Sequence, residues 1–161
     1  ALAINDWNGR RHDRAAIDSA LQSIRAEADL NRQAVSRYRQ RLVTMADAMQ
    51  RDNADTDAMR PCMAWRGWSG VEQPVLLDTA YEVAVVTQSL AKMPFSQASR
   101  VGEVYGAQRH MQKMYDQASA MLLADRPVPL SQCVGILREM AQGNSQMAGL
   151  YARVISAQTE P

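Results

Sequence analysis

IDSALQSIRAEADLNRQAVSRYRQRLVTMADAM, residues 17–49, is the stretch whose reading decides the fold. Ile17, Leu21, Ile24, Ala28, Asn31, Val35, Tyr38, Leu42, Met45 and Met49 recur in alternating steps of four and three without a break. That period keeps one stripe of a helix turned toward a partner helix. No proline precedes Pro61, so the helix is expected to run from about residue 6 to 52. At about 1.5 Å per residue it reaches roughly 70 Å. The part before Ile17 then projects as a stalk while the rest packs. Asn31 is a polar residue in the stripe. It either bonds to a neighbouring helix or a buried water, or fixes register or oligomeric state. Arg37, Arg39 and Arg41 fall on several faces of the helix and read as solvated charges.

Downstream the period breaks. Turn formers and acidic residues over 52–57, then Pro61, Gly67 and Gly70, predict an ordered loop over 53–76. The acidic run lacks the glycine and glutamate that a calcium loop requires at fixed positions. Thr79 and Glu82 have the spacing of a capping box opening a helix to about Lys92. Val83, Val85 and Val86 leave a strand as the alternative there. Met93-Pro94 forces a turn, and a third helix is expected over about 96–123. After the breaker at 125–129, Leu130, Val134, Leu137, Ala141, Asn144, Ala148, Tyr151 and Ile155 form a second seam in steps of four and three. The expected fold is all-α: an antiparallel bundle of about four helices with a long N-terminal helix, residues 77–161 supplying the remaining helices.

Composition supports this and excludes several functions. Of 161 residues, 47% are hydrophobic, enough for a real core, and the single Phe with eight Gly and six Pro favours helix over strand. A net charge of +1 gives no footprint for nucleic acid. Two histidines, His12 and His110, lie far apart along the chain, and no pair of metal-ligand spacing occurs. Nor does a glycine-rich phosphate loop or a triad. The reading is therefore non-enzymatic, with no metal and no cofactor. The ten methionines read as core filler. His110 and Met114, one turn apart, offer a conceivable Cu(I) pair.

Four groups are candidate sites. Ala1-Leu2-Ala3-Ile4 is an apolar scrap, and residues 1–5 read as the remnant of a removed transmembrane segment. Trp7, Arg10, Arg11 and Arg14 would then lie at the membrane interface, where amphipathic rings and cations collect. A frayed, solvated N-terminus is the plainer alternative. Trp65, Arg66 and Trp68 could form a partner-contact patch, since Trp and Arg dominate interface hot spots. The alternative has both rings plugging the end of the bundle. Cys62 and Cys133 are an even pair, compatible with one disulfide if the domain lies outside the cytoplasm.

Asn5-Asp6-Trp7-Asn8 with the Arg-rich residues after it, Asp29-Leu30-Asn31-Arg32, Thr79-Ala80-Tyr81 and Tyr105 together resemble a family of small bacterial single-pass membrane proteins of unknown function. In that family an Asn-acidic-Trp-Asn signature follows an N-terminal transmembrane helix and leads into a long Arg- and Ala-rich helix. The likeness touches 1–50 and about 75–115. It implies an anchor and a helical fold, and it carries no catalytic signature. The expected function is thus a membrane-anchored extracytoplasmic module that acts through protein contacts as a scaffold or sensor, with a foreign protein or a second copy as partner. The rival is a small-ligand-binding bundle whose cavity is lined by Tyr105, Met111, Tyr115 and Tyr151. Arg10, Arg11 and Arg14 taken alone would place this side in the cytoplasm. A more basic segment ahead of the anchor, as in the resembling family, reverses that and gives an inner-membrane protein with a periplasmic domain.

Overall fold

The computed structural model describes residues 2–53 and 58–156, with side chains from Arg11 onward. Among them the architecture is all-α with one minimal sheet. Helix α1 spans Leu2–Asp52, α2 Thr79–Val86, α3 Ser89–Lys92, α4 Phe95–Leu122 and α5 Leu130–Ser156. A 3₁₀ turn covers Cys62–Ala64. Strands β1 (Met59–Arg60) and β2 (Val128–Pro129) pair antiparallel and tie the two long connections together. Helix α1 thus begins at Leu2 and not near residue 6, because Leu2, Ala3 and Ile4 are acceptable helix residues and no breaker separates them from Asp6.

Helices α1, α4 and α5 form the bundle. Arg138 near the start of α5 reaches Asp47 and Gln50 near the end of α1, while Val154 lies beside Leu21, so the two run antiparallel. Helix α4 runs parallel to α1, with Tyr105 on Glu27, Gln108 on Asn31, and Tyr115 edge-on to Tyr38 at 5.7 Å between ring centroids. Both seams are the core. Leu21 through Met49 on α1, and Leu130, Val134, Leu137, Ala141, Asn144 and Tyr151 on α5, are all buried. Arg37, Arg39 and Arg41 are exposed.

The loop between α1 and α2 is a strap laid lengthwise between α1 and α4. Ser69 N–H meets Met45 Sδ at 3.2 Å, Tyr38 donates its hydroxyl to Val71 O at 3.3 Å, and Gln73 bonds to Ser119 of α4 at 3.1 Å. Glycine at 67 is required where the strap leaves the end of α1. Its φ is +86°, and a Cβ there would lie 2.8 Å from the backbone of Ala48 and Met49. The expected single helix over 79–92 is broken. Gln88 is left-handed (φ 59°), the Thr87 hydroxyl bonds back to Val83 O at 2.8 Å, and α3 restarts at Ser89.

Candidate functional site

The most organised chemistry in the interior lies where the strap ends. Asn31, 1% exposed, donates Nδ2–H to Leu77 O at 2.7 Å and accepts Leu77 N–H on Oδ1 at 2.8 Å. It therefore holds both backbone groups of a residue that belongs to no helix. Gln108 of α4 reinforces the hold, donating to the same carbonyl at 3.1 Å. Its Oε1 accepts Asn31 Nδ2–H at 3.2 Å and the Tyr151 hydroxyl of α5 at 2.6 Å. One turn away on α1, Glu27 accepts the Tyr105 hydroxyl at 2.6 Å and the Ala80 backbone N–H at 2.8 Å.

That last bond revises the expected capping box. The residue preceding α2 is Asp78, whose side chain makes no cap bond, and the cap comes from Glu27 of another helix. A carboxylate at a helix N-terminus satisfies an orphan N–H and complements the helix dipole. Tyr81, one turn into α2, stacks on Tyr105 at 4.6 Å. Burial pushes the Tyr105 hydroxyl far above its usual range, and the bond to Glu27 adds to the rise. Burial does the same for Tyr151, with a smaller contribution from the Glu27 charge. The side chains of this network are closed off from solvent and committed to one another and to the strap backbone, so the arrangement fixes geometry.

The expected sites are dispersed. Trp65 is corrected. It is buried in the core at 3% exposure with the Arg60 guanidinium 5.3 Å above its ring, so it is no part of a surface patch. An indole this large gains more from the bundle end than from water. Trp68 is half-buried against the core and Arg66 is exposed, with the Arg66 backbone clamped by Asn53 on both its N–H and its carbonyl. Cys62 and Cys133 are bonded with their Cα atoms 5.6 Å apart, joining the strap's root to α5. Arg11 and Arg14 are exposed near the start of α1. The Trp7 and Arg10 side chains lie outside the described residues, as does most of the acidic run at 54–57. Among the described residues no group of three His, Cys, Asp or Glu could hold a metal ion. Nor is any described helix long and apolar enough to cross a membrane.

The cavity expected around four residues is divided. Tyr105 and Tyr151 are sealed in the polar network. Met111 and Tyr115 line a groove of about 240 Å³ between α4 and α5, with Met140, Gly143 and Met147 on the facing wall. The small residues that open this groove, Ala107, Ala118 and Gly143, gave no signal in the sequence beyond composition. No protein-family model, curated protein or solved structure matches this chain. The geometry alone therefore carries the functional reading.

Proposed function

We propose that this is the extracytoplasmic, non-enzymatic domain of a membrane-anchored protein, and that it works by binding a protein partner through the end of the bundle nearest the start of α1. One observation carries this reading: the exposed apolar side chains of α2 and of the start of α4, taken together as one edge. Val86 is 82% exposed and Phe95, the only phenylalanine, is 87% exposed. Val83 and Val86 are i, i+3 neighbours and share one face of α2. Large exposed apolar side chains in a fold that buries Tyr38, Trp65, Tyr105, Tyr115 and Tyr151 support an interaction surface. Lys92 of the neighbouring α3 pairs with Asp13 of α1 at 2.7 Å, which supports a position for the edge near the start of α1, the end that the proposed anchor and its interface residues Trp7, Arg10, Arg11 and Arg14 would occupy.

The extracytoplasmic compartment is supported by Cys62 and Cys133, 1% and 0% exposed and bonded across 71 residues. Disulfides of this kind persist in oxidising compartments and are rare in the cytosol. The strap, locked by Asn31 and Glu27, gives the edge a rigid base, as a scaffold or sensor requires.

Two readouts on the full-length protein test the proposal. Thiols quenched with acid in living cells should resist alkylation until a reductant is added; free thiols would place the domain in the cytoplasm. The pair Val86→Asp and Phe95→Asp should abolish recovery of crosslinked partners from native membranes while leaving the melting temperature unchanged. An identical partner set in wild type and variant would remove this edge from the function.

A further inference from the structure

The groove between α4 and α5 is separate from both the polar lock and the apolar edge, and its walls gather soft metal ligands. His110, Met111 and Met114 of α4 line it together with Met140 and Met147 of α5. Four of the ten methionines and one of the two histidines thus border one space of about 240 Å³, more than gap-filling alone calls for. Met111, Met140 and Met147 are buried and pack as core methionines do. Met114 is 54% exposed and His110 is exposed, so neither fills a gap in the core. On α4, Met114 has His110 four residues before it and Met111 three before it, which puts both within one turn, their Cβ atoms roughly 5–6 Å from its own. The antiparallel register set by Gln108–Tyr151 and Glu103–Arg153 brings Met147 of α5 level with His110 and Met111. Gly143, one turn from Met147, leaves the facing wall open near the level of Met114, since a Cβ built there meets nothing within 4 Å.

Thioether sulfur is a soft ligand that selects Cu(I), and imidazole also suits copper. A harder cation has no ligand set, because among the described residues no three of His, Cys, Asp or Glu come together. Thiolate does not compete for the ion, since Cys62 and Cys133 are bonded to each other. The charge of the wall suits a monovalent cation: Glu139 lines the groove and no described Lys or Arg does. Methionine has three adaptable torsions and a polarizable sulfur, so a buried Met147 can turn its sulfur onto an ion without moving its helix. We infer that the α4–α5 groove binds one Cu(I) ion through an imidazole nitrogen of His110 and the thioether sulfurs of Met114 and Met147, with Met111 closing the site from behind. The expectation of no metal rested on the spacing of His, Cys and Glu along the chain, and a thioether arriving from a second helix leaves no such spacing.

The test uses the disulfide-bonded chain under nitrogen, with Cu(I) supplied as its coloured ferrozine complex and ascorbate as reductant. Wild type should withdraw one equivalent of Cu(I), read as loss of the chelate's colour. Met114→Leu and His110→Gln, both at exposed positions, should each weaken binding ten-fold or more with unchanged helical circular dichroism. Met147→Leu keeps the buried volume and should weaken it likewise. Met121, at 55% exposure as open as Met114, lies on the same helix outside the groove wall, and Met121→Leu should change nothing. Ag(I) titrated into a chain labelled at its methionine methyls should shift the Met114 and Met147 resonances and leave that of Met121 in place. No withdrawal of Cu(I), an affinity that survives any one of the three groove variants, or an equal loss in Met121→Leu would each overturn the inference.

Discussion

Glu27 Oε2 lies 2.8 Å from the backbone nitrogen of Ala80, and Glu27 Oε1 lies 2.6 Å from the Tyr105 hydroxyl. One carboxylate on α1 thus caps α2 and receives α4, joining three elements far apart in sequence. Glu27→Gln keeps the shape but turns an amide donor toward one of two donors. It should destabilise the fold by about 1–3 kcal/mol, the usual cost of a buried unpaired group, read as a lower urea midpoint with unchanged slope. A cycle with Tyr105→Phe should show coupling; strict additivity would mean the two groups act independently.

Gly67 and Gly70 make an internal comparison. Both have positive φ, but only at 67 would a Cβ meet the backbone of α1, at 2.8 Å, whereas at 70 it meets nothing within 4 Å. Gly70→Ala should cost about 1–2 kcal/mol for the left-handed backbone alone. Gly67→Ala adds a clash with atoms that cannot yield locally, so its loss in thermal stability should be clearly larger. Equal losses would show that the strap does not press on Ala48 and Met49.

The Cys62–Cys133 bond closes a 71-residue separation. Removing it as the Cys62→Ala, Cys133→Ala pair should cost about 4 kcal/mol on the chain-entropy account. Denaturant melts of the pair and of the oxidised parent measure this directly. A loss below about 1 kcal/mol would mean that the strap is held by its polar contacts alone.

Alkaline pH should unfold the protein through its phenols. Tyr38 is pushed up to about 12 by burial, with Arg41 opposing, and Tyr105, Tyr115 and Tyr151 are raised further. A group whose folded pKa exceeds its unfolded value contributes stability fully present below the unfolded value of about 10 and lost as pH rises through the folded one. Tyrosinate absorbance and loss of helix should therefore rise together above about pH 10, as one transition for these four residues. Tyrosinate forming while the helices persist would show that the phenols are solvated.

Both seams of the bundle were legible in the sequence, because a step of four and three over 33 residues on α1 has no other common cause. Asn31 was legible as an anomaly in its seam, but its partner was not. It bonds to the backbone of Leu77, and every residue carries the same backbone groups. The same obscurity hid the cap of α2: Thr79 and Glu82 had the right spacing, yet Glu27 arrives from another helix. Thr87 and Gln88 gave no break signal as strong as proline or glycine, so α2 and α3 read as one. Trp65 illustrates the limit on surface reading, since an indole beside Arg66 in a loop looks the same whether the ring points outward or inward. The α4–α5 groove arises from what Ala107, Ala118 and Gly143 lack, and an absence of side chain has no period.

The measurement that bears most directly on the account places a photo-crosslinking amino acid at position 95 of the full-length protein in its native cells, with products identified by mass spectrometry. The account predicts a reproducible foreign protein of the extracytoplasmic compartment, lost when Val86→Asp is added. Crosslinks to cytoplasmic proteins, or none above a control probe on the exposed outer face of α1 at Arg39, would contradict it.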